Sequence, residues 1–161
     1  MSSKPNAFQR LIHRFIALRP VTAFFANKIH LIDKFVLRLT KGKYAVSELV
    51  GWTVIQLTTT GAKSGLGRMS PLVGLMDGEK IAVIASNLGR AHRPGWYYNL
   101  RAHPECNVQW NGKSSMYIAR QISGDEYEKY WKLALSYFAG YEKYEERAGR
   151  RIPIMMLEPK D

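Results

Sequence analysis

A chain of 161 residues, 46% hydrophobic and 23% charged, is long enough to bury one core and too apolar to be disordered. Its 24 Lys/Arg against 13 Asp/Glu leave a net charge of +11, which attracts anions of many kinds. No apolar run reaches the roughly 18 residues of a membrane span, and the single cysteine, Cys106, excludes an internal disulfide or a thiolate metal site.

Residues 7–19 place Phe8, Leu11, Ile12, Phe15 and Leu18 at helical spacing, with Arg10 and Arg14 on the other side. Pro20 interrupts the stripe, which resumes from Val21 through Phe24, Phe25, Ile29, Ile32, Phe35, Val36 and Leu39 and ends near Gly42. Residues 1–50 are therefore expected to be an N-terminal amphipathic helical segment. Two readings stand for it: a helical pair packed on the core, or a helix that also rests on an anionic membrane face. Arg10, His13, Arg14 and Arg19 interrupt any secretory h-region, so a cytoplasmic location, peripheral at the membrane at most, is expected.

From Gly51 the hydrophobic period changes to two. Strands are expected over 53–59 and 68–75, then a hairpin turn at Met76-Asp77-Gly78-Glu79, since Asp-Gly tolerates positive φ, and a buried strand over 80–86. Residues 94–102 read as a helix with proline in its first turn. A second hairpin joins 107–110 to 113–122 through Asn111-Gly112, the signature of a type I′ turn. A helix over 125–137, capped by Ser123 or Asp125, and a short strand over 151–158 close the chain. Hairpin-linked strands with few helices, and no repeated βαβ unit, predict an α+β fold: residues 51–161 as a single antiparallel barrel with helical cover.

Positive charge is clustered. Residues 4–43 carry Lys4, Arg10, Arg14, Arg19, Lys28, Lys34, Arg38, Lys41 and Lys43 against one acid, Asp33, and acid-free basic stretches follow at 63–68 and 90–103. In the first of these loops Gly61, Gly65 and Gly67 let backbone N–H groups approach an anion, Lys63 adds a point charge and Arg68 a planar fork. The spacing is not that of a Walker A loop, and a plain glycine-rich hairpin fits equally well. The second stretch leads from a buried strand into a helix start, where unpaired N–H groups favour ligands. There Trp96 and Tyr97 either face a planar ligand or belong to the core. The four histidines, His13, His30, His92 and His103, lack metal-ligand spacing, so no metal is expected, and no nucleic-acid-binding motif accompanies the charge.

The patterns L-T-T-T-G-x-K-S-G-x-x-R-x-x-P-L at 57–72, A-S-N-x-G at 85–89 and P-x-W-Y-x-N-L-x-A-x-P at 94–104 resemble the deazaflavin-dependent nitroreductase family. These are F420H2-dependent quinone and nitro reductases built on a split β-barrel. The resemblance implies coenzyme F420, in its reduced form F420H2, as cofactor. Lys63 and Arg68, flanked by Ser64 and Gly65, would hold its phosphate and acidic tail. Ser70, Pro71, Ala85, Ser86 and Asn87 would border its ring, Trp96 and Tyr97 would lie near it, and Arg93 could add charge. Ala62 stands where many relatives place arginine, and Asn87 where some carry lysine.

With hydride chemistry residing in the cofactor, the protein supplies orientation and electrostatics. The resemblance implies Tyr137, Tyr141 and Tyr144, with Ser86, as hydroxyl donors toward an apolar acceptor: a quinone, a nitroaromatic or an activated enone. The alternative reading makes Tyr141 and Tyr144 a surface helix face among Glu142, Glu145 and Glu146. The alternative functions are an FMN-binding split-barrel oxidoreductase or a non-catalytic F420 carrier, and the expected assembly is a monomer or weak dimer.

Overall fold

In the computed structural model, residues 52–160 are described; the N-terminal amphipathic segment and the boundary drawn after residue 50 lie outside them. Six strands, β1 (Val54–Thr60), β2 (Gly67–Asp77), β3 (Lys80–Ile84), β4 (Glu105–Trp110), β5 (Lys113–Gln121) and β6 (Ile154–Pro159), form a closed antiparallel barrel in the order β1-β2-β3-β6-β5-β4. Helix α1 (Gly95–Ala102) follows a left-handed turn at Asn87–Gly89. Helices α2 (Gly124–Tyr137) and α3 (Gly140–Ala148) separate β5 from β6.

Two cores explain the hydrophobic patterns. Inside the barrel, Ile55, Leu57, Ile81, Val83, Val108, Met155 and Leu157 meet Trp96, Tyr97 and Leu100 of α1. Outside it, Ala82, Ile84, Ile154 and Met156 pack beneath Tyr127, Tyr130, Ala134, Tyr137, Phe138, Tyr141 and Tyr144 of the helical layer. Strands β3 and β6 are thus covered on both faces, which is why they read as continuous apolar runs, whereas β1, covered on one, alternates.

The first hairpin differs from its expected form. Strand β2 runs on to Asp77, so Gly78-Glu79 make the two-residue turn, and only Gly78 takes a positive φ (63°), the pattern of a type II′ turn. Asp77 pairs with Lys80 in the ladder, and its carboxylate accepts hydrogen bonds from the Tyr130 hydroxyl at 2.6 Å and Lys129 Nζ at 3.1 Å. Asn111 and Gly112 both have positive φ, as the type I′ signature requires. Ser123 occupies the N-cap of α2, but its side chain makes no capping bond; Asp125 and Glu126 place negative charge in the first turn instead.

On the outer wall, Arg120 binds Glu126 through two bonds of 2.7 Å and Glu158 through two of 3.2 Å, while Lys80 reaches Glu158 at 2.6 Å. Hydrogen bonds from Arg120, then Lys80, hold the Glu158 carboxyl down to about 2. A folded-state pKa below the unfolded one contributes stability that is complete above the usual carboxylate range and is lost as pH falls toward the folded value. Thermal midpoints measured from pH 6 down to pH 2 should therefore drop across the acid limb, and Glu158→Gln should flatten part of that drop. Added salt should weaken the effect, because these side chains are a third or more exposed.

Candidate active site

Strand β1 leaves the barrel at Thr60 into a loop closed on itself, with Gly61 N donating to Leu66 O and Gly65 N to Gly61 O, both at 2.8 Å. A Cβ on Gly61 would stand 2.6 Å from Ser64 Oγ and 3.2 Å from Leu66 O, so a side chain there would displace the serine hydroxyl and crowd the closure. Lys63 and Arg68 stand exposed at the two ends of this loop, their side chains with no hydrogen-bond or ion-pair partner among the described residues.

Facing the loop, the chain leaves β3 through three consecutive positive-φ residues, Asn87 (46°), Leu88 (57°) and Gly89 (77°). Non-glycine residues in this region cost about 1–2 kcal/mol each, so the turn is held by its surroundings. Asn87 Nδ2 donates to His92 O at 3.0 Å, and Pro94 then leads in extended conformation into α1. Gly95 and Trp96 occupy the first turn of α1, whose N–H groups have no intrahelical acceptor and favour anions. Asn99, one turn further, binds loop and helix together: its Nδ2 donates to Thr59 Oγ1 and its Oδ1 accepts from Ala62 N, both at 3.0 Å.

Between these walls lies a groove of about 850 Å³ lined by both segments. Lys63, Arg68, Arg93 and His92 line it together with Met69, Trp96, Tyr98 and Asn99, and among the described residues no carboxylate does. The Arg93 guanidinium lies 5.4 Å from the Tyr97 ring centroid, and its Nε is buried without a hydrogen-bond partner. An orphaned charged donor, unpaired cations and an aromatic wall suit an anionic molecule with a planar part. Among the described residues no cluster of His, Cys, Asp or Glu could hold a metal. Burial pushes the Cys106 thiol up to about 12, so it offers no thiolate at neutral pH.

The residues expected from the sequence separate into three groups. Lys63, Ser64, Arg68, Ser70, Asn87, Arg93 and Trp96 line the groove, and Gly65 shapes its loop through a φ of 67°. Pro71 lies exposed on β2, and Ala85 and Ser86 are buried beneath the left-handed turn; Tyr97 is buried in the barrel, its hydroxyl donating to Gln121 at 2.8 Å. Tyr137, Tyr141 and Tyr144 belong to the outer aromatic layer. Phe138 and Tyr141 meet edge-on at 5.3 Å, and Tyr141 and Tyr144 at 6.1 Å. The surface-face reading of Tyr141 and Tyr144 does not hold: both are buried, Glu142 and Glu146 are exposed, and half-buried Glu145 accepts a hydrogen bond from Ile152 N at 2.8 Å. Met69, His92, Tyr98 and Asn99 were not anticipated as groove residues. Asn99 was visible inside the third motif, but its partners are far from it in sequence.

The closed antiparallel barrel with flanking helices is of the split-barrel class, and its cation-lined groove suits an anionic ligand. The sequence profile described as F420H(2)-dependent quinone reductase matches residues 32–159, and the chain belongs to that family. It is 32% identical over 104 residues to the F420H(2)-dependent quinone reductase Rv1261c of Mycobacterium tuberculosis, spanning 63% of this chain and 70% of that protein. A solved F420-H2 dependent reductase, FDR-A, is 37% identical with a TM-score of 0.61, covering 66% of this chain and 94% of its own. Another structure, a domain-swapped dimer, is 31% identical at a TM-score of 0.62 and covers 86% and 99%. The heme storage protein HutZ of Vibrio cholerae, 14% identical at a TM-score of 0.51, shares the fold alone. The protein is thus an F420H2-dependent oxidoreductase and reduced F420 is its cofactor.

Asn99→Leu keeps the side-chain size and removes both loop-to-helix bonds, each worth about 0.5–1.5 kcal/mol. Affinity for F420 should fall several-fold while amide exchange across 61–66 accelerates, as titration and hydrogen exchange would register. Unchanged exchange would mean that the loop does not depend on the clamp.

Proposed function

We propose that the groove between the β1–β2 loop and α1 seats reduced F420 and that a quinone-like acceptor receives its hydride there. The observation that carries this reading is the convergence of Lys63, Arg68 and Arg93 on a groove that no carboxylate of the described residues lines, with Arg93 Nε buried and without a hydrogen-bond partner among them. When bound, the deazaflavin supplies the hydride; the chain's own residues bind and orient. Lys63 and Arg68 hold phosphate or carboxylate oxygens at the exposed end, Arg93 meets charge at the buried end, and Trp96 offers an apolar wall. Each charge-assisted hydrogen bond contributes about 1.5–3 kcal/mol where water is partly excluded.

An apolar acceptor is favoured by Leu66 and Met69, each 62% exposed, on the loop and strand that carry the cations. A lipid quinone would reach the groove from a membrane face, in keeping with the basic residues of segment 4–43; among the described residues no helix is long and apolar enough to cross one. A hydroxyl donor would stabilise the negative charge developing on the acceptor. Burial keeps the Tyr141 phenol protonated, but its ring packs in the outer aromatic layer and does not line the groove, so the donor comes from elsewhere.

Fluorescence titration with F420 and with FMN, followed by turnover of F420H2 with a quinone analogue and a nitroaromatic, tests the reading. The expected result is F420 binding with steady quinone-dependent oxidation. Tight FMN binding without F420 binding would reject the cofactor seat, and F420 binding without turnover would support a carrier. Tyr141→Phe should leave both F420 binding and quinone turnover unchanged, since the phenol packs in the outer layer; slowed turnover with intact binding would instead make it the donor.

A further inference from the structure

We infer that Arg150 is a positioning residue: it grips the 90–93 loop from behind and thereby presents Arg93 to the anionic part of F420, a role that rests on the seat proposed above. Arg150 follows Gly149, which ends α3 with a φ of 60°. Its Nε donates to Ala91 O at 2.8 Å, and one terminal nitrogen donates to Arg90 O and His92 O, both at 3.4 Å. Three successive carbonyls of an irregular segment thus converge on one guanidinium that does not itself line the groove. His92 O also accepts from Asn87 Nδ2, so the loop is pinned from the left-handed turn as well. The residue immediately after this gripped triplet is Arg93, whose Nε is buried without a partner.

Such a loop has no strand or helix ladder of its own, and without an external donor its carbonyls would bond water and its conformation would fluctuate. The arrangement also holds two like charges close together: burial, and then the charge of Arg93, pull the Arg150 pKa below its usual value. An anion placed against Arg93 relieves that repulsion, so loop order and anion binding reinforce each other. A planar fork spans three carbonyls where a lysine ammonium would reach fewer, so lysine should substitute only in part.

The test compares the parent with Arg150→Ala, Arg150→Lys, Arg93→Ala and the Arg93→Ala, Arg150→Ala double variant. Affinity is read by F420 titration, and hydrogen exchange of amides 90–93 is read without F420. Arg150→Ala should bind F420 about tenfold more weakly and exchange faster across 90–93, while Arg150→Lys should lose about threefold. Because Arg150 acts through Arg93, its loss should largely vanish in the Arg93→Ala background. Parent-like affinity in Arg150→Ala, unchanged exchange, or an equal loss in both backgrounds would overturn the clamp. A parent that fails to bind F420 would overturn the seat itself, while exchange across 90–93 would still report whether Arg150 holds the loop.

Discussion

The Lys63→Ala, Arg68→Ala double variant should bind F420 about a hundredfold more weakly than the parent, with its fold intact. Neither side chain has a hydrogen bond or ion pair among the described residues, so removing them leaves no buried partner behind. What is lost is attraction to the ligand alone. Charge-assisted bonds contribute about 1.5–3 kcal/mol each, and the exposure of these two places them at the lower end, about tenfold apiece. Exposed charges are screened over about 10 Å at 0.1 M salt, so the gap between parent and variant should narrow as ionic strength rises. A gap insensitive to salt would mean that the two residues act through loop shape instead of charge. Equal affinity in parent and double variant would leave the groove without its proposed anion grip.

How much of this site could be read in advance depends on the distance along the chain between interacting groups. The Asn111-Gly112 turn was legible because two adjacent residues determine it, and β3 and β6 because continuous apolar runs mean burial on both faces. The groove segments announced themselves through glycines and cations within a few residues of each other. Their mutual arrangement did not, since Asn99 reaches Thr59 across 40 residues and Arg150 reaches Ala91 across 59. Nothing at residue 150 distinguishes it from other arginines in a basic chain. The anchoring of the Asp77 carboxylate was hidden for the same reason, its partner Tyr130 lying 53 residues on. The burial of Tyr141 and Tyr144 was within reach: together with Ala148 they follow helical spacing, while Glu142 and Glu146 take the opposite side. Local composition among glutamates suggested exposure; periodicity pointed the other way and prevailed.

The largest effect on stability should come from Gly89→Ala. Gly89 closes the left-handed turn with a φ of 77°, where an alanine pays about 1–2 kcal/mol for its backbone conformation alone. Its added Cβ would also stand 3.1 Å from Tyr144 Cα, 3.2 Å from Tyr144 O and 3.3 Å from Arg147 Cβ. Two of these atoms are backbone of α3, so the contact is relieved only by moving the helix or the turn as a whole. Strain and displacement together should cost about 3 kcal/mol, or about 10 °C in melting midpoint for a chain of this size. Leu88→Gly is the internal comparison. Leu88 sits at φ 57° with its side chain 39% exposed, so glycine there removes strain without opening a core, and the change should be neutral or slightly stabilising. Because the same turn carries Asn87, which holds His92 O, Gly89→Ala should also weaken F420 binding, whereas Leu88→Gly should not. Opposite signs of the two changes in thermal melting would locate the constraint in the close approach of turn and α3. Equal destabilisation by both would mean that the turn tolerates no change at all, and that its left-handed geometry is not the cause.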